Sequence, residues 1–181
     1  RNTAVQMETF SEPVNRTLKG LTHPVLHYIV QGVNPSDSDY RAQDISVRMM
    51  DDAVKRELTD VDPNASLYID STSDYSLIHL KLQPDGKSIS DPEGLRTRFQ
   101  NIASGLNPST DEIRRKAELE LMELTFHLER PHFFGMMVAA SLAAGERITL
   151  VPDVPSVEAV QGALKRIAQP DRSMLLLIRP E

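Results

Sequence analysis

Tyr75-Ser76-Leu77-Ile78-His79-Leu80-Lys81-Leu82 decides the fold class. Ile78, Leu80 and Leu82 alternate with His79 and Lys81. That period of two belongs to a strand with one buried face and one wetter face. Just upstream, residues 65–71 form a second strand-like run, and Thr72-Ser73-Asp74 between the runs suits a hairpin turn. A hairpin requires antiparallel pairing and argues against a doubly wound parallel sheet. Pro84-Asp85-Gly86-Lys87 closes the unit.

On the N-terminal side, residues 60–64 break the pattern with Asp, Pro and Asn. Before them, residues 40–58 read as a helix, because Val47, Met50, Val54 and Leu58 fall on one apolar stripe. Asn34-Pro35-Ser36-Asp37-Ser38-Asp39 is a turn and helix start, and residues 25–33 read as a strand. Residues 1 to 18 are polar with scattered apolar positions and are expected to be a lead-in or linker to a single domain at 19–181.

On the C-terminal side the pattern is mostly helical. Ser90-Asp91-Pro92-Glu93 is a capping box, followed by Leu95, Phe99 and Ile102 and ended by Gly105. Ser109-Thr110-Asp111-Glu112 is a second one, opening the stripe Ile113, Ala117, Leu121, Leu124 and Leu128, which Pro131 stops. A short helix rich in Met and Ala runs over about 133–144, and Ser156 starts another with Val157, Val160, Leu164 and Ile167 inside. Residues 174–178 are a continuous apolar run, the mark of a buried final strand. The order is strand, helix, two strands, four helices, strand. It predicts an α+β sandwich: an antiparallel or mixed sheet with helices packed on one face.

Composition narrows the function. The 181 residues suit one domain. With 40% hydrophobic and 25% charged residues the chain has ordinary globular composition. The net charge of −6 gives no sign of a nucleic-acid partner. No apolar run approaches the roughly 20 residues of a membrane span. No signal peptide is expected, and the initial Arg reads as a trimmed fragment or processed product. There are no cysteines, so disulfides, thiolate metal sites and Cys nucleophiles are excluded. Both cytoplasmic and periplasmic proteins can lack Cys, so the compartment stays open.

The chain has five histidines, the residues most able to bind a metal here. His23 and His27 are separated along a strand by roughly 13 Å at about 3.3 Å per residue, too far to share an ion. The inverted zinc motif, His-x-x-Glu-His, puts two ligands and a base on one helix face. Starting from His127 it would need Glu and His where this chain has Arg130 and Pro131. Asp51-Asp52 and Glu118/Glu120 fall on exposed-looking helix positions and read as solvated faces. Arg114-Arg115-Lys116 reads as ordinary pairing with Asp111, Glu112, Glu118 and Glu120 along one helix. There is no Gly-rich phosphate loop and no Gly-x-Ser-x-Gly. No catalytic residue and no metal ligand is expected within this chain.

Several stretches resemble the pitrilysin/insulinase family of zinc metallopeptidases. Gly105-Leu106-Asn107-Pro108-Ser109-Thr110-Asp111-Glu112-Ile113-Arg114-Arg115-Lys116-Ala117 is similar to the start of that family's long helix. Ser156-Val157-Glu158-Ala159-Val160-Gln161 and Arg172-Ser173-Met174-Leu175-Leu176-Leu177-Ile178-Arg179-Pro180 are similar to its last helix and closing strand. Lys19-Gly20, the first strand and the first helix match its opening, so the likeness spans about 18–181. The resemblance implies a late, non-catalytic domain. Zinc and the His-x-x-Glu-His site would lie in an N-terminal domain or a partner subunit, and peptide would be the substrate. It also implies a substrate-holding Arg followed about seven residues later by a Tyr. Arg56-Glu57 sits where that Arg would fall; Pro63 stands seven residues on, and the nearest tyrosine is Tyr68. Arg56 and Tyr68 are the candidate substrate contacts, although Arg56 near a helix C-terminus is also explained by the helix dipole. An inactive structural subunit and an unrelated α+β binding domain are the alternatives.

Overall fold

The computed structural model describes residues 13–72, 75–84, 89–128, 131–144 and 151–181. In chain order the elements are β1 (Val14–Leu18), β2 (Val25–Gln31), α1 (Tyr40–Glu57), β3 (Ser66–Ser71), β4 (Ser76–Leu82), α2 (Pro92–Gly105), α3 (Thr110–Leu128), α4 (Pro131–Ala144), α5 (Val157–Ile167) and β5 (Ser173–Pro180). The five strands form one mixed sheet in the order β1-β5-β2-β4-β3. β1 runs parallel to β5 and every other pairing is antiparallel. The expected α+β architecture is therefore present.

The alternation in β4 sets the layers. Ile78, Leu80 and Leu82 are buried and stand opposite Val30, Tyr28 and Leu26 of β2. Leu175 and Leu177 of β5 and Leu67 of β3 fall in the same register. These side chains join Ile45, Met50, Val54, Phe99, Ile113, Val160 and Leu164 from the helices in one core. The other face carries His79, Lys81, His27, Leu176 and Ile178, all half-buried. Among the described residues of the sheet, only Val25 and Ile29, on the strand at the sheet's centre, are buried there.

One strand was not read from the sequence. Residues 14–18, which lie within the expected lead-in, are β1 at the sheet edge. Val-Asn-Arg-Thr-Leu has no apolar alternation, and the strand is held by backbone pairing to β5 from one side. Gly20, at φ 85°, makes the turn away from it, a backbone shape that favours glycine. The hairpin pairing of β3 with β4 stands, while Ser73, Asp74 and residues 85–88 lie outside the described residues.

Helix starts follow the chemistry read from the sequence, with one refinement. At α2 the side chain that caps is Asp91, whose Oδ1 accepts from Gly94 N–H at 2.8 Å. Asp91→Ala should cost about 1 kcal/mol, checked as a lower midpoint in urea unfolding. At α3, Ser109 Oγ accepts from Glu112 N–H, and Glu112 Oε2 accepts from Ser109 N–H at 2.8 Å, a reciprocal box.

Candidate functional site

Tyr68 lies on β3, the edge strand, and points to the sheet face away from the helices, with 43% of its surface exposed. Its ring stacks on His79, directly opposite on β4, at 5.1 Å and 9°. His27 meets His79 edge-on at 6.3 Å from the next strand. Three rings on three adjacent strands thus form a continuous platform, with Lys81 beside it. Burial holds His27 below the usual histidine range, reinforced by His79 and Lys81. Burial also lowers His79, with Asp70 pulling the other way. Both rings are neutral at pH 7. Both ring nitrogens of His79 lack a hydrogen-bond partner among the described residues. Both nitrogens are buried, so what the surface offers is aromatic stacking area, chiefly the exposed Tyr68 ring.

Arg56 sits elsewhere. It is in the last turn of α1, and its Nε donates to Glu57 Oε1 at 3.0 Å. It lines a groove of about 380 Å³ with Glu57, Arg98, Asn101, Ile102 and Leu106, between α1 and α2. Arg98 there is held by Asp60 at 2.9 Å and by the carbonyl of Glu57. Since α1 packs on the opposite side of the sheet from Tyr68, the two sequence candidates do not converge.

The expected solvated pairs are also partly engaged. Asp52 contacts Lys116 of α3 at 2.5 Å, and Asp51 contacts Lys55 at 2.6 Å while accepting from the Leu67 amide at 3.2 Å. Glu120 is not a free surface carboxylate, because it lies 2.5 Å from Arg41 and 3.5 Å from Arg48 of α1. The contacts of Asp52 with Lys116 and of Glu120 with Arg41 and Arg48 run between helices, which single-helix spacing does not reveal. The imidazole platform was missed for the same reason. The neighbour of His27 is His79, one strand away and 52 residues on in the chain, and spacing along one strand does not show it.

Among the described residues, no group of three or more His, Cys, Asp or Glu side chains could hold a metal ion. Glu129 and Arg130 of the tested motif lie outside the described residues; α3 ends at Leu128 and α4 begins at Pro131. No described helix is long and apolar enough to cross a membrane.

No family model and no curated protein matches the sequence. Solved structures do. A protease from Helicobacter pylori matches at TM-score 0.72 and 12% identity, over 93% of this chain and 44% of that one. The inactive peptidase domain of a zinc protease candidate from Bordetella parapertussis matches at 0.72 and 15%, over 91% of this chain and 97% of that one. A predicted insulinase family protease from Yersinia pestis matches at 0.67 and 13%, over 99% and 44%. This chain therefore spans less than half the length of the Helicobacter and Yersinia chains. Its fold is that of the insulinase-type peptidase domains, including one described as inactive.

Proposed function

We propose that this chain is a non-catalytic domain of an insulinase-type zinc peptidase, and that the sheet face bearing Tyr68, away from the described helices, forms one wall of a peptide-binding chamber. The observation that carries the reading is the Tyr68–His79–His27 platform on that face, in a fold shared with an inactive peptidase domain. In this reading zinc and the general base belong to another domain or a partner subunit. Peptide lies along the sheet, stacking on the exposed Tyr68 ring, which His79 supports from beneath. Arg56, in the groove on the helix side, takes no part in the wall. A structural subunit of the same fold is the second reading.

An NMR titration with an unstructured peptide tests the first reading. Shifts should concentrate on Tyr68, His79, Lys81 and Leu176, and Tyr68→Ala should weaken binding about three- to tenfold, the worth of one aromatic contact. The purified chain with added zinc should leave the peptide intact. Shifts confined to the Arg56 groove, or zinc-dependent cleavage by this chain alone, would overturn it. Absence of any peptide binding would favour the structural subunit.

A further inference from the structure

The sheet face bearing Tyr68 is built in rows. β3 pairs with β4 and β4 with β2, so alternate side chains of the three strands stand in register on that face. Ser66, Lys81 and His27 form one row. Tyr68, His79 and Ile29 form the next, and Asp70, Leu77 and Gln31 the one after. Successive rows are about 7 Å apart, twice the rise per residue of a strand.

Charge brackets the middle row. Lys81 puts an ammonium on one side of Tyr68 and Asp70 puts a carboxylate on the other. The imidazoles of His27 and His79 add none at pH 7, because burial holds both below the usual histidine range. Neither Lys81 nor Asp70 forms an ion pair among the described residues. Asp70 is exposed. Lys81 is half-buried and lines a groove of about 230 Å³ with Asp62, Asn64, Ser66 and Gln83. Asp62 is buried there, and its two oxygens already accept from the Asn64 amide at 2.8 Å and the Gln83 amide at 2.6 Å. A lone surface charge is ordinary. Two opposite ones, one row to either side of an exposed aromatic ring, make a pattern that a ligand can read.

We propose that this face selects extended peptide segments in which an acidic and a basic side chain flank an aromatic one, each two positions from it, with Lys81 and Asp70 as the specificity-determining residues. The inference rests on the wall reading and deepens it. An extended peptide turns every second side chain to the same side, at the same repeat as the rows. When its central ring stacks on Tyr68, its neighbours on that side fall over Lys81 and Asp70. The acidic one meets Lys81 and the basic one meets Asp70, so the order of the two charges also sets which way the peptide runs. The chain's net charge of −6 would by itself favour a wholly basic peptide. The rows favour opposite charges instead.

Three serine-spaced peptides test the selection: Glu-Ser-Phe-Ser-Lys, Glu-Ser-Phe-Ser-Glu and Lys-Ser-Phe-Ser-Lys, each titrated into the chain and followed by NMR shifts at Tyr68. The first should bind about three- to tenfold tighter than either of the others, the worth of replacing one repulsive surface contact by an attractive one. The difference should shrink at about 0.5 M salt. Lys81→Glu should move the preference to the peptide with two lysines. Asp70→Lys, at an exposed position where folding is not at issue, should move it to the peptide with two glutamates. Equal binding at Tyr68, tightest binding of the two-lysine peptide to the unaltered chain, or variants that keep its preference would overturn the selection and leave the wall reading standing. No binding of any of the three at this face would overturn both.

Discussion

Phe99→Ala should remove about 3–5 kcal/mol of stability, the range for truncating a buried aromatic ring. Phe99 is fully buried. It is the residue by which α2 reaches the middle of the sheet, where its ring meets Tyr28 of β2 edge-on at 5.0 Å and 70°. The Tyr28 hydroxyl in turn accepts from Gln100 Nε2 at 3.1 Å, so the truncation also loosens that bond. Surrounding side chains come from several elements, and they cannot all move to fill the void. In a domain of this size such a loss lowers the melting temperature by roughly 6–20 °C. Phe126→Ala is the internal control, since that ring is more than half exposed, and it should change stability by less than about 0.5 kcal/mol. Equal effects from the two would contradict the packing of α2 on the sheet.

Gln43→Leu should cost about 2–4 kcal/mol, although Leu matches the side chain in size and is the more apolar residue. Gln43 is buried on α1 and holds the exit of β2 to the start of β4. Its Oε1 accepts from the Val33 amide at 2.7 Å and its Nε2 donates to Ser76 Oγ at 3.0 Å. Gly32, whose amide donates to the Ser76 carbonyl at 2.8 Å, lies close beneath the Gln43 amide group. A Cβ on Gly32 would come within 2.6 Å of Gln43 Oε1. Leu would leave the Val33 amide and the Ser76 hydroxyl without these partners inside the fold, a larger cost than the gain in apolar burial. Chemical denaturation read at constant slope measures it. A neutral or stabilising result would mean that water replaces the amide at this junction.

Neither of these residues could be ranked from the sequence. Phe99 was legible as one of an apolar stripe, but its meeting with Tyr28 was not. Gln43 is a polar residue in a helix, and nothing in its spacing marks it as buried. Tyr68 was singled out for its distance from Arg56 along the chain. The structure places it on the opposite side of the sheet, beside two histidines that were read separately.

The sequence by itself determined the local structure and the fold class. The alternation in residues 76–82 fixed which side chains of β4 are buried, and the two adjacent strand-like runs pair antiparallel as β3 and β4. Caps and apolar stripes marked the helices. These signals are local, because a strand repeats every two residues and a helix about every 3.6. Only the tertiary structure decided that residues 14–18 complete the sheet, that His27, His79 and Tyr68 share a platform, and that Glu120 meets Arg41 and Arg48. Strand register and helix packing create those contacts across 11 to 164 residues of chain, from Tyr68 against His79 to β1 against β5. Their energy comes from burial and pairing that no short window of sequence contains.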